Sequence, residues 1–434
     1  MFYRAPANPC RVTTFSSPAA ANAAGIDLRS QGKLREAIDT FRAATTQFPS
    51  IPALHQNLAQ ALYEAGDTAQ AIAEHRRVLA LDPRNVASNL SLYELLQITG
   101  DRVLALAHQR LALEEQRLFS HVAPREARSV LLLLAPGDWQ ANIPVDFLFD
   151  RETTSVHKLY LIDERYLQRD SVPRYDVMWN AIAESPDAVG YLELAARIMS
   201  SQERPTLNDP RKVIATSRLR LPDTLRHADV HVPHVREVRR EDLERGEAGL
   251  AFPIIARPAG SHAGSGLARL TSPSECAEYT KANEAQTYYV SSFVDYSNDD
   301  GFFRKYRIVF VDGHPYPVHL AISPNWMIHY YNAPMSENQW MRDEEAAFLT
   351  DIHSVFGGAR LQALESIAEA AGLEYFGIDC SIDRDGRVLM FEADPAMLVH
   401  TSDPPDLYPY KKRYIPRIYR AVEAMIDERK AADI

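Results

Sequence analysis

Cysteine is scarce. The chain has three in 434 residues, Cys10, Cys276 and Cys380, far apart and without metal-ligand spacing. That excludes a disulfide framework and a zinc site, and it fits a reducing compartment. Long apolar runs are also missing. The longest, Val130-Leu-Leu-Leu-Leu-Ala135, falls far short of the ~18 residues that a membrane helix requires and suits a buried strand. Residues 1–20 lack the continuous apolar segment of a secretory leader. A cytoplasmic protein with no membrane partner is the simplest expectation. Positive charge is in deficit, with 58 Asp plus Glu against 47 Lys plus Arg and a net charge of −11. This argues against a general nucleic-acid partner.

In bulk the composition is that of a globular protein, 46% hydrophobic and 24% charged. At 434 residues the length predicts two to four domains with real cores. Residues 1–20, rich in Pro, Ala, Ser and Thr, read as a loose tail. A repeat follows. Gly32, Gly66 and Gly100 share a 34-residue spacing, as do Ala37, Ala71 and Ala105, and as do Pro49 and Pro83. Glycine turns between paired helices, a small Ala at the packing position and a Pro at the exit resemble the tetratricopeptide repeat over residues 21–120. Arg117 stands where the third closing Pro is due, which fits a terminal cap. Such a module binds a peptide or protein partner, or it braces and dimerises; the repeats do not choose between these.

From Ser129 strands alternate with helices. Val130–Leu134, Lys158–Ile162 and Asp176–Ile182 read as parallel strands, and 187–202 and 211–225 as helices, giving an α/β domain at 128–225. The richest stretch comes later, Tyr375 to Asp394. It reads as two strands, about 375–382 and 387–394, joined at Asp383-Arg-Asp-Gly386. An even turn pairs Ile382 with Arg387 and sets Asp379, Glu392 and Asp394 on one face. Acids that merely decorate a solvated hairpin would be the plainer reading, but these lie inside apolar runs. Buried together they need a counter-charge, and a hard divalent cation such as Mg²⁺, with Mn²⁺ as substitute, takes carboxylates together with nucleotide phosphates.

A second motif lies upstream, where strand 254–257 ends at Arg257-Pro258 and a loop carries Gly260, Ser261, His262, Gly264, Ser265 and Gly266. Glycine lets backbone N–H groups close on phosphate oxygens. No Gly-Lys-Ser/Thr completes a P-loop. Together with Tyr288–Val294, Arg307 in Arg304–Gly313, and Gly377-Ile-Asp379 followed by Phe391-Glu-Ala-Asp394, these features resemble the ATP-grasp carboxylate–amine ligases over about 128–430.

The resemblance implies an α/β plus α+β ATP-grasp fold after the all-α repeats, with its nucleotide- and metal-binding domain at 226–430. It implies ATP with Mg²⁺ as cofactors, and small-molecule or peptide carboxylate and amine substrates. The Gly260–Gly266 loop would cover the phosphates, Phe293 and Val294 would meet adenine through the backbone, and Asp295 would reach the ribose. Arg257 and Arg307 would act in catalysis, and Asp379, Glu392 and Asp394 would hold metal. Arg257 and Arg220 (Arg218 if the register slips) replace the usual lysines, and Asp394 the usual Asn. Two other functions stay open, a repeat-based interaction protein with a degenerate nucleotide fold and an ATP-grasp phosphotransferase. His319, Ser323, Trp326, His329, Tyr330 and His400 are secondary substrate-pocket candidates. Tyr408–Arg413 reads as a solvated helix start, and Ile418, Val422 and Ile426 as core.

Overall fold

The structure, a computed structural model, describes residues 14–162, 172–261, 264–329 and 332–432. Its contacts divide it into two compact units: the region up to 117 with 136–138, and 118–135 with 139–434. Among the described residues no helix is long and apolar enough to cross a membrane.

The first unit is three helix pairs: α1 (Pro18–Ser30), α2 (Leu34–Gln47), α3 (Pro52–Glu64), α4 (Thr68–Leu81), α5 (Val86–Ile98) and α6 (Arg102–Glu115). The first helix starts at Pro18, inside the stretch read as tail, because Ser17 caps it by accepting from the Ala20 N–H. Asp67, Asn85 and Asp101 cap α4, α5 and α6 in the same way. The 34-residue glycines sit between paired helices with φ of 74°, 85° and 87°, a conformation that disfavours any side chain. Ala37, Phe41, Ala71, Leu92 and Ala105 share one buried cluster. Phe41 lies so close over α1 that a Cβ on Gly25 would meet its ring at 2.4 Å.

The second unit holds three sheets. The first combines β1 (Leu118–His121), β2 (Arg128–Leu134), β3 (Thr154–Tyr160), β4 (Val177–Asn180) and β5 (Thr206–Leu207) in the order β1-β3-β2-β4-β5. All neighbours are parallel except β1–β3. The strand expected at 158–162 runs at 154–160, because Thr154, Ser155 and His157 are buried and extend the strand through polar residues. The helix expected at 187–202 forms at Val189–Ser200. The one expected at 211–225 is two short helices, Pro210–Ala215 and Leu221–Thr224. Pro222 suits the first turn of a helix and has no N–H to bond back to residue 218, so residues 216–220 turn.

After β6 (Val230–His231), the second sheet is antiparallel: β7 (Arg236–Arg239), β8 (Ile254–Pro258), β9 (Ala268–Leu270) and β10 (Thr287–Ser292), in the order β7-β10-β8-β9. The third has the order β12-β11-β13-β14-β6, with β11 (Phe303–Val311), β12 (His314–Ser323), β13 (Tyr375–Ile382) and β14 (Val388–Asp394). Asn208 joins the first sheet to the third: its side chain donates to the Tyr375 carbonyl at 2.7 Å and accepts from the Tyr375 N–H at 2.9 Å. Trp179 packs edge-on against Tyr375 beside it.

The β13–β14 register corrects the expected one. Ile382 faces Val388 rather than Arg387, and a bulge between Asp379 and Cys380 leaves Phe391 unpaired. Asp379 then lies opposite Glu392, and Gly377 opposite Asp394. Opposed residues project from the same face, so the three acids do share one face. The extra residue achieves this, not the turn. In the basic cluster near the C-terminus Lys412 and Arg413 are exposed at the start of a short helix, as expected, and one residue departs. Lys411 is only 3% exposed and pairs with Glu345 at 3.2 Å and Asp403 at 2.8 Å, because a buried cation must find acids.

Candidate nucleotide and substrate site

Four strands of the third sheet lay one row of ionisable side chains across a single face. His319 on β12 is opposite Arg307 on β11, Arg307 is opposite Asp379 on β13, and Asp379 is opposite Glu392 on β14. Along β11 burial alternates: Arg304 and Tyr306 are buried, while Lys305 and Arg307 lie on the half-open side. Two other positions of that face are small, Ala321 opposite Lys305 and Gly377 opposite Asp394. One side of this sheet is core and the other is polar floor.

Charges on the floor are heavily paired. Asp379 accepts from Arg307 Nε at 2.8 Å and Nη2 at 3.0 Å, and from Lys305 Nζ at 2.8 Å. Burial alone would raise its carboxyl pKa, but the charges of Arg307 and Lys305 outweigh it and hold the group far below the usual range. Glu392 accepts from Arg218 Nη2 at 2.5 Å. Protein atoms crowd its carboxylate, which keeps 29% of its side chain open to solvent, as at the bottom of a cleft. Here too burial pushes upward and Arg218 brings the pKa below normal. The Asp394 carboxylate accepts from the Ala396 N–H at 2.7 Å. Burial and the adjacent Glu392 raise it to about 6. Glu184, which follows β4 in sequence, is raised to about 7 by burial, against the pull of Arg218 and with the push of Asp394.

The second sheet brings Arg257 at the end of β8. It is buried and donates to Ser261 through Nε at 3.0 Å and through Nη2 to the Ser261 carbonyl. Burial and the like charge of Arg218 lower its pKa to about 10, and Glu392 acts in the opposite sense. Arg257, Arg218 and Glu392 thus lie within electrostatic reach although three different segments carry them. The loop glycines Gly260, Gly264 and Gly266 have φ of 72°, 73° and 66°. A Cβ on Gly266 would strike Pro258 at 2.6 Å. His262 and Tyr330 lie outside the described residues.

The structure therefore groups Arg257, Arg307, Asp379, Glu392 and Asp394. Arg220 is exposed at the start of the Leu221 helix, its charge within reach of Glu184, and Arg218, two residues earlier, takes the contact with Glu392. The Pro222 break sets that register. Phe293 follows β10, its N–H donating to the Pro253 carbonyl at 3.0 Å. Arg269 stacks on its ring at 4.2 Å and Trp326 meets its edge, so the ring itself is covered. Val294 is half-buried beside it. Asp295 pairs with Arg384 at 2.8 Å. His319 is buried, its pKa held well below normal by burial and by Arg307, and His329 and His400 both lie within reach of the Arg307 charge. Lys305 and Glu184 escaped the sequence reading. Two-residue alternation from Arg307 marks Lys305 in hindsight; no local signal marks Glu184.

Among the described residues no three His, Cys, Asp or Glu side chains are gathered to hold a metal ion. The donor chemistry still fits a hard cation at Glu392 and Asp394, which retain oxygen lone pairs and where burial together with the charge of Glu392 keeps Asp394 at about 6. Asp379 fits less well, since both its oxygens are held by cations. An acidic recess of about 350 Å³ lined by Asp312, Glu365, Glu369 and Glu374 lies at the far end of β11, and its charge would repel phosphate.

Comparison with known proteins gives two results for the two units. The tetratricopeptide repeat family profile matches residues 22–86, and the first unit is built of these repeats. No curated protein matches the sequence. Solved structures similar to the chain include D-alanine–D-alanine ligase from Bacillus anthracis complexed with ATP, at TM-score 0.43 and 10% identity, covering 70% of this chain and 98% of that one. A RimK domain ATP-grasp protein from Sphaerobacter thermophilus matches at 0.40 and 13%, covering 69% and 99%. The VanG D-Ala:D-Ser ligase from Enterococcus faecalis matches at 0.41 and 11%, again covering 69% and 99%. Identities and scores this low carry no activity across. The chain is thus a tetratricopeptide module followed by mixed-sheet domains similar to ATP-grasp structures.

Proposed function

We propose that the chain is an ATP-dependent ligase that joins a carboxylate to an amine through an acyl phosphate, with the repeats recruiting a peptide or protein partner in the cytoplasm. One observation carries this reading: Arg218, Arg257, Arg307 and Lys305 converge with Glu392 and Asp394 beside a loop of positive-φ glycines. Cations in such number beside carboxylates suit a polyphosphate held with a divalent ion. Nucleotide phosphates would take Arg257 and Arg218, with the Gly260–Gly266 backbone closing over them and excluding water. Phe293 and Val294 offer adenine their backbone, and Asp295 the ribose a carboxylate. Mg²⁺ held by Glu392 and Asp394 would neutralise phosphate charge.

Arg307 does the work at the reacting carboxylate. Its guanidinium, fixed by Asp379, would align the substrate carboxylate for in-line attack on the γ-phosphorus, releasing ADP. An amine then adds to the acyl carbon. Arg307 would stabilise the tetrahedral oxyanion, and phosphate leaves. Asp379, already paired, acts here as the group that orients Arg307.

The pairing of Asp379 favours a second reading, a nucleotide-binding module on a repeat scaffold without turnover. ADP release measured over a panel of carboxylates and amines, with mass detection of the product, separates the two. The ligase predicts an amide product and its loss in Glu392→Gln. MgATP binding without any turnover would leave the second reading, and a phosphorylated product would indicate a phosphotransferase.

A further inference from the structure

The floor of the third sheet holds a cation to which the ligase reading gives no step of its own. Lys305 lies two residues from Arg307 on the same face, so their attachment points are roughly 7 Å apart along the strand. Both cations converge on Asp379, which accepts one of the three donors that Lys305 carries. Beside Lys305 the floor is low: Ala321 is its partner on β12, and Ser381 is buried with its hydroxyl turned to the Arg304 carbonyl. His329, half-open, lies within reach of the charges of both Lys305 and Arg307. The β14 side of the floor carries Glu392 and Asp394 against Arg218, whereas the β11 side carries two permanent cations against one acid. The charge surplus thus changes sign across the sheet.

We propose that Lys305, with His329 beside it, forms a second anion subsite, and that the substrate is a short dicarboxylate with one carboxylate on Arg307 and the other on Lys305. This rests on the ligase reading, in which Arg307 holds the reacting end. A small residue at Ala321 leaves room for the connecting carbons, and the spacing of the two cations sets a chain of a few carbons. A monocarboxylate of the same length leaves Lys305 without its anion. Lys305 is therefore a specificity residue.

The test compares glutarate and succinate with their monoamides, glutaramate and succinamate, as probes of equal length and different charge. ADP release is followed with MgATP and a mixture of amines, and MgATP binding is measured separately by calorimetry. The wild-type chain is expected to prefer a dicarboxylate over its monoamide by about tenfold or more in kcat/KM, as a charge-assisted contact provides. Lys305→Met should erase that preference, raising KM for the dicarboxylate far more than for the monoamide, and Lys305→Arg should restore most of it. A purely structural Lys305 would instead lower both probes together in Lys305→Met, which overturns the proposal. Equal use of both probes by the wild-type chain also overturns it, as does failure of every probe while MgATP still binds. Absence of MgATP binding would instead overturn the ligase reading beneath it.

Discussion

Two sheets of the same unit are built on opposite plans. In the parallel sheet, β2 buries six consecutive residues from Ser129 to Leu134, because helices and loops cover both faces. In the third sheet, β11 alternates, burying Arg304 and Tyr306 and leaving Lys305 and Arg307 on the open face. The first plan gives a rigid wall with nothing to react. The second trades half of its burial for a row of charges whose positions are fixed by strand register. Substitutions in the two sheets should accordingly fail in different ways.

The sharpest contrast is expected from Trp179→Ala in β4. It removes a fully buried ring that packs on Phe149 and Tyr375 and should cost about 3–5 kcal/mol, read from urea unfolding, with nucleotide affinity of the folded protein little changed. Arg307→Met should reverse that pattern. ADP release should fall by about 10²–10³ while unfolding shifts less than in the tryptophan variant, since Lys305 remains to hold Asp379. A smaller effect is expected for Arg257→Met, about tenfold weaker MgATP binding by calorimetry. If Arg307→Met unfolded the chain as readily as Trp179→Ala, the division into wall and chemistry would be wrong.

The subtlest difference is in pH. Burial lowers the pKa of His157 on β3, so the unfolded chain protonates first, and the wall loses stability as pH falls below the free histidine value. Asp394 and Glu184 are raised to about 6 and about 7. Their folded forms bind the proton first, so their contribution is favourable at low pH and is lost as pH rises toward 7. The depressed Asp379 acts only below the ordinary carboxylate range. Acidification from pH 7 to 5 should thus loosen β3, and β12 through the buried His319 in the same sense, while firming β14, measured by hydrogen exchange. Glu184→Gln should remove much of the second trend.

Periodicity made the repeats and the β13–β14 hairpin legible, because both follow from local spacing: glycine turns every 34 residues, and two apolar strands around Asp383-Arg-Asp-Gly386. The shared face of the acids was also foreseen, though by the wrong register. A bulge depends on how Phe391 packs against Tyr296, and no pattern in β14 announces it. The choice of Arg218 over Arg220 turned on Pro222 interrupting a helix, a signal present in the chain but outweighed by apolar spacing. Lys411 looked solvated because its acid partners, Glu345 and Asp403, come from elsewhere in the sequence. Long-range pairing of charges is what a single strand's pattern omits.

The bulge has a final consequence for how this chain can vary. Parity, not chemistry, keeps Glu392 beside Asp379. Exchanging Leu389 or Met390 for another apolar residue leaves the count intact. Deleting either one removes the bulge's extra residue and leaves a regular ladder in which Ile382 still faces Val388 and Asp379 still faces Glu392. Evolution or an engineer can therefore repaint this strand freely, and the bulge gives it one residue to lose without moving its acids.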